Sequence, residues 1–214
     1  VLVTSLFLWI LGAGVFFLAE FSNTIGDLSL RDKLVSSVFH SVSGRTAGFA
    51  TMDFQMAKDF TKLTYPALMF IGGGAGSVAG GIKVSTFAII MAAVISSVRG
   101  RPRPEAFGRE IARDQVSRAL TVAVLGVVFI VVVMPILTLT EPNIPFLDLL
   151  FETVSAFSTN GTSVGIVPDL SLAGKILLMA SMLIGRLGPL VLALALAPRE
   201  RTVYRFVEER VTIG

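Results

Sequence analysis

Two short turns carry the residue types that could handle a bare cation. Gly44 to Ala50 reads GRTAGFA and Thr159 to Gly165 reads TNGTSVG, so each contains Thr-x-Gly. Such a turn offers backbone carbonyls that can replace the hydration shell of an ion, and Gly48 and Gly161 permit conformations that a Cβ would obstruct. The bland alternative is a re-entrant turn that only packs against helices. A third stretch, Ile71 to Lys83, reads IGGGAGSVAGGIK and demands a bare backbone for one of three reasons: a phosphate cradle, a close helix seam, or an unwound segment in a membrane. The phosphate reading fails because Ile82 separates Gly81 from Lys83 and no soluble strand precedes the run. Asn160-Gly161-Thr162 matches a glycosylation acceptor, but a re-entrant turn is the wrong place for one. Without cysteine there is no disulfide or thiolate site within the chain, and no hydrolytic triad or metal cluster is present, so the reading is not an enzyme.

The elements that must position these turns are membrane helices. The chain has 214 residues, 53% hydrophobic and 15% charged, with a mean hydropathy of +0.79. That balance suits a bilayer better than a soluble domain. Leu2 to Ala19 and Ala119 to Leu139 are uncharged runs long enough to cross a core of about 30 Å. The first has no basic flank ahead of it to suggest a signal peptide, and Val1 in place of Met suggests a piece of a longer protein. Arg99, Arg101, Arg103, Arg109, Arg113 and Arg118 cluster between apolar runs, and Arg199, Arg201, Arg205 and Arg210 cluster in the tail. By the positive-inside rule both clusters are expected in the cytoplasm, which also disfavours nucleic acid as their partner.

Ser29, with Asp32 three residues on, predicts a helix start, and the helix from Leu30 to about Ser43 spans only half a bilayer. The polar stretch Thr51 to Thr61 returns the chain outward. Leu63 to Val98 is apolar for 36 residues, roughly 54 Å as one helix, and must break at the glycine run. The second half repeats the plan: a span at Ala119 to Leu139 with Pro135 as a kink candidate, a short helix from Pro145 to about Ser158, the second turn, and a span from Lys175 to Ala197. One constant shift in numbering, with no gap, carries Thr46, Gly48, Met69, Ile71 and Gly72 onto Thr159, Gly161, Met182, Ile184 and Gly185. Internal duplication of this kind is a transporter and channel architecture. Each short helix aims the partial negative charge of its C-terminus at a turn, which favours a cation there. Arg186, mid-span, is a functional candidate whose structural alternative is a pair with a buried carboxylate such as Glu152. Lys83 either acts with the glycine loop or snorkels to the cytoplasm, and His40 reads as a satisfied packing group rather than a ligand.

With these residues in hand the chain resembles the second half of a Trk/Ktr-type potassium transporter membrane subunit, in the superfamily that includes fungal Trk and plant HKT proteins. SGRTAGF (Ser43 to Phe49) resembles the third filter of that family and SAFSTNGTSVGI (Ser155 to Ile166) the fourth. GGGAGSVAGGIKVST (Gly72 to Thr86) resembles its glycine-rich intramembrane loop, and IGRLGPLVLALAL (Ile184 to Leu196) its final span with a buried arginine. The tail YRFVEERVTIG is closer to Ktr than to Trk. The resemblance implies an all-α membrane protein with two span, pore-helix, re-entrant-loop, span repeats of a pseudo-fourfold cation pore. The units are 1–98 (third repeat), 99–118 (cytoplasmic linker), 119–198 (fourth repeat) and 199–214 (cytoplasmic tail). It implies filter roles for Thr46, Ala47, Gly48 and Phe49 and for Thr159, Asn160, Gly161 and Thr162. K+ is expected at the carbonyls of Thr46, Ala47, Gly48, Thr159, Asn160 and Gly161. Gly72, Gly73, Gly74, Gly76, Gly80, Gly81, Lys83 and Arg186 are expected to gate the path below. Asn160 and Thr162 depart from the more apolar residues of the family's fourth filter. The implied function is K+ uptake across the plasma (inner) membrane, with Na+ as a candidate coupling or activating ion. The implied partners are the lipid bilayer, a second membrane subunit in a homodimer, and a cytoplasmic ring of nucleotide-binding regulatory subunits, with no nucleic acid. The alternatives are a sodium-permeable member of the superfamily and a non-conducting scaffold whose glycines serve helix packing.

Overall fold

The computed structural model describes residues 1–188 apart from Ala75 and Pro102. The expected end of the last span, at Ala197, and the tail 199–214 lie outside the described residues. Helix α1 (Leu2–Glu20) and helix α5 (Arg113–Thr140) are long and apolar enough to cross a bilayer. Only 17% and 22% of their apolar windows are buried within the chain, so both present hydrocarbon outward, as lipid-facing spans do. Helix α5 starts at Arg113, six residues before the apolar run at Ala119, because nothing in Arg113 to Arg118 opposes a helix.

Helix α2 (Leu30–Ser43) has the expected bounds. Its cap is the expected one too: Ser29 Oγ accepts from Asp32 N–H at 3.2 Å and donates to the Asp32 carboxylate at 2.7 Å. A 3-10 turn at Phe54–Met56 leads to α3 (Asp59–Phe70), which starts inside the stretch expected to be a polar return. The long apolar run then breaks as its length requires, and α4 occupies Val84–Val98. Between α3 and α4 a two-sided neck closes the glycine loop. Gly72 N–H donates to Ile82 O (2.8 Å), Ile82 N–H to Phe70 O (3.0 Å) and Val84 N–H to Gly73 O (3.1 Å). These bonds replace the helical ones lost at the break.

The all-α expectation needs one amendment. In the linker, β1 (Glu105–Ala106) pairs antiparallel with β2 (Arg109–Glu110). Phe107 and Gly108 turn between them at φ 52° and 74°, the left-handed pair that matches strand twist. Arg101–Glu105 and Arg103–Glu110 ion pairs, both 3.0 Å and exposed, trim the ribbon.

Helix α6 (Phe146–Ser158) follows Pro145, which sits at the N-cap. Helix α7 (Leu172–Leu187) begins three residues before Lys175, because Ser171 caps it by accepting from Gly174 N–H at 3.2 Å. A buried carboxylate in each half ties the C-terminal end of one long helix to the start of a later one. Glu20 accepts from Lys58 N–H, the N-cap of α3, at 3.0 Å, and Glu141 from Ser171 N–H, the N-cap of α7, at 3.1 Å. Lys58 and Ser171 are themselves equivalent positions of the repeat. Helix α6 packs against α3, α5 and α7, around Phe54, Tyr65 and Phe151 on one side and Phe70, Phe129 and Phe157 on the other. Helix α2 packs chiefly on α1 and leaves Leu30, Leu34, Val35, Val38 and Val42 exposed.

Candidate ion filter and gate

The two turns lie at the C-terminal ends of α2 and α6, and they repeat in backbone conformation as well as in sequence. Thr46 and Gly48 have φ 72° and 76°; their equivalents Thr159 and Gly161 have φ 53° and 92°. A threonine held in left-handed conformation is costly unless its surroundings impose it, and it recurs here at equivalent sites. Gly48 has a second reason to be glycine, since a Cβ there would lie 2.0 Å from the Asn160 carbonyl oxygen. The turns therefore touch.

Asn160 joins them. Its Oδ1 accepts from Thr46 N–H at 2.8 Å, and its Nδ2 donates to Thr162 Oγ1 at 2.7 Å and to Met69 Sδ at 3.1 Å. The side chain is buried as a cross-brace, which accounts for an amide where an apolar residue was expected. Among the described residues, no protein group donates to the carbonyls of Thr46, Ala47, Gly48, Thr159, Asn160 or Gly161. The next carbonyl along is taken in both halves: Ser43 Oγ donates to Phe49 O and Ser155 Oγ to Thr162 O, each at 2.5 Å. Phe49 and Thr162 thus end each turn with a tied carbonyl, and the hydroxyls that do this carried no signal in the sequence beyond their place near a helix end.

The glycine loop sits against this assembly. Gly80 N–H donates to Thr159 Oγ1 at 2.9 Å, and a Cβ on Gly80 would meet Ser158 O at 2.7 Å. Gly72 faces Gly80 O, and Gly81 faces Phe70 O across the neck. Gly73 lies beside the Ser77 side chain, while Gly74 and Gly76, at the far end, have no close neighbour. Three cationic side chains hold carbonyls of the loop. Lys83 Nζ donates to Ser77 O at 3.0 Å and also to Ala79 O, so it turns into the loop rather than snorkelling away. Arg186 Nη1 donates to Val78 O. Arg45 Nη2 donates to Gly72 O at 2.7 Å.

Arg186 is fastened to the loop carbonyl, and Glu152 is not its partner. The Glu152 carboxylate accepts from Val164 N–H at 2.8 Å and from the Ser163 hydroxyl. The Val78 carbonyl gives the Arg186 guanidinium an acceptor without a carboxylate. Arg45 is the residue missed by sequence reasoning. It is 9% exposed, and its Nε and Nη1 have no hydrogen-bond partner among the described residues. The criterion that singled out Arg186, an ionisable group at membrane depth, applies equally to an arginine between Gly44 and Thr46. His40 is fully buried with both ring nitrogens engaged, by Ser36 and Thr51, which bears out the packing reading.

Comparison with known proteins places this geometry. The family model TrkH, described as a cation transport protein, matches residues 1–204. The Ktr system potassium uptake protein B of Bacillus subtilis is 40% identical over 200 residues, covering 92% of this chain and 45% of that protein. The potassium/sodium uptake protein NtpJ of Enterococcus hirae is 34% identical over 220 residues, covering 99% and 48%. The crystal structure of the potassium transporter TrkH from Vibrio parahaemolyticus aligns with a TM-score of 0.74 at 26% identity, covering 91% of this chain and 43% of that one. The chain spans about half the length of these relatives. Matched by the family model from end to end of its described residues, the chain belongs to the TrkH family of cation transport proteins, membrane transporters and not enzymes.

Proposed function

We propose that the chain is the third and fourth repeats of a four-repeat pore for K+ uptake across the plasma membrane. The observation that carries this reading is the pair of turns with six carbonyls free of donors among the described residues, each turn at the C-terminal end of a short helix. Carbonyls of Thr46, Ala47, Gly48, Thr159, Asn160 and Gly161 would replace water around the ion, with the helix ends adding negative potential. The ring of four is supported by packing. Helix α6 is wedged between its own repeat and α3 of the preceding one, whereas α2 leaves an apolar row that a helix of a second repeat would cover.

Below the filter, the loop from Gly72 to Gly81 is the gate, latched by Lys83, Arg186 and Arg45 through its carbonyls. The Arg-rich linker and tail face the cytoplasm, where nucleotide-binding regulatory subunits act on a homodimer of membrane subunits; nucleic acid is not a partner. NtpJ, named for potassium and sodium, makes Na+ the competing cargo or coupling ion. The scaffold reading is weaker, because the glycines bunch in one loop instead of recurring every fourth residue along a helix face.

The test is growth rescue of a potassium-uptake-deficient host by the full-length parent, with Rb+ and Na+ fluxes measured in Gly48→Ser and Gly161→Ser. Both variants are expected to lose K+ preference. Gly48→Ser is the more severe, since its Cβ meets Asn160 O at 2.0 Å while Gly161 has open space beside it. Unaltered preference in both variants rejects the filter.

A further inference from the structure

After each turn the chain climbs outward, and one side chain of the pore helix receives its backbone. In the second half the receiver is Glu152, which accepts from Val164 N–H at 2.8 Å. In the first half it is His40, whose Nε2 accepts from Thr51 N–H at 3.3 Å and lies 3.4 Å from the Thr51 hydroxyl. Thr51 and Val164 are equivalent under the shift that relates the two halves, so the same N–H of the repeat is held by an imidazole in one half and a carboxylate in the other.

The two receivers respond oppositely to acid. A protonated carboxyl keeps a carbonyl oxygen that still accepts. Imidazole has no such reserve. His40 Nδ1 faces Ser36 O at 2.8 Å and must carry the proton there, so the neutral ring has only Nε2 left to accept; protonation makes Nε2 a donor, which can turn to the Thr51 hydroxyl but no longer accepts from Thr51 N–H. The ring is stacked on Phe16 at 4.8 Å and edged by Phe39 and Phe54. The titratable groups on the elements around it are engaged elsewhere. Glu20 on α1 binds Asn23, Thr24, Lys58 and Thr61; Lys33 on α2 donates to Phe21 O; Asp53 accepts from Gln55 N–H. On α3, Lys62 pairs with Asp148 of α6, and Tyr65 donates to the His40 backbone carbonyl. A cavity of about 290 Å3 lined by Thr24, Ser36, Thr51 and Asp53 meets both partners of the ring.

We propose that His40 is a proton-sensitive positioning residue of the first filter turn, holding Thr51 when neutral and releasing it when outside acid protonates the ring. The inference rests on the filter reading for its effect on transport, but not for its effect on the backbone. The experiment compares the full-length parent with His40→Gln, whose amide oxygen accepts without titrating, and with His40→Ala. Two quantities are read between about pH 7.5 and about pH 5: amide exchange at residues 50–53, corrected for intrinsic pH dependence, and K+ uptake. In the parent, protection at Thr51 is expected to fall about fivefold with acid and uptake with it, while residues 163–165 hold steady. His40→Gln is expected to stay flat, and His40→Ala to lack protection at every pH. Equal pH profiles in parent and His40→Gln, or a flat parent, overturn the proposal, and the parent with His40→Gln decides it even if His40→Ala does not accumulate. The expected exchange pattern without any K+ uptake upholds the brace and rejects the potassium reading instead.

Discussion

Met69, Ile71 and Gly72 recur as Met182, Ile184 and Gly185, yet helix α3 ends at Phe70, inside the first set, whereas α7 runs through the second as far as Leu187. The downstream neighbours decide the difference. Gly73 and Gly74 come next in one case, and each glycine costs about 1 kcal/mol in a helix interior. Arg186 and Leu187 come next in the other, and both are good helix formers. The shared glycine then serves two ends. In α7 it lets the helix press on the end of α6, with a Cβ position 1.7 Å from Phe157 O; in the first half it lets the neck close on Gly80 O at 2.3 Å. One motif can thus support a continuous span or a hinged loop, according to the residues attached to it.

Substitutions in both halves test this contrast, and the largest effect belongs to the glycine inside α7. Gly185→Ala drives a methyl into backbone that cannot yield, and is expected to cost about 3 kcal/mol or more, seen as loss of folded full-length parent in thermal unfolding. Gly72→Ala, with its Cβ position 2.3 Å from Gly80 O, should cost somewhat less in stability and more in gating. Next comes the loop itself. Deleting residues 74–79 removes the carbonyls held by Lys83 and Arg186, and K+ uptake at matched expression should rise about tenfold, the equivalent of one charged hydrogen bond. Arg186→Ala, which removes only the contact to Val78 O from an exposed site, should raise it about threefold. If neither variant changes uptake, the loop is not a gate. The smallest effect is expected at Gly74→Ala, where only Val1 lies near, at 3.8 Å, and stability should move by under about 0.5 kcal/mol.

Where a rule depended on length or on local capping, the sequence was sufficient. Ser29 and Asp32 predict the start of α2, and the excess length of Leu63 to Val98 predicts the break. Helix starts made of polar residues were harder to see: Asp59 and Arg113 begin α3 and α5 without apolar periodicity, and the Phe107–Gly108 hairpin is two residues wide. In the site, the turns and the loop were legible because glycine marks them. Their fastenings were not. Ser43, Ser155, Asn160 and Arg45 act on partners distant in sequence or on carbonyls that any residue possesses, so residue type alone does not announce them.

The wedge of α6 between α3, α5 and α7 also bears on how such a chain is made. A helix of 13 residues carrying Asp148 and Glu152 is too short and too polar to wait in lipid. Two of the three walls that receive it, α3 and α5, precede it in the chain and have been synthesised when α6 leaves the ribosome; α7 closes the third side soon after. The direction of translation therefore supplies two walls of the groove before the helix that fills it.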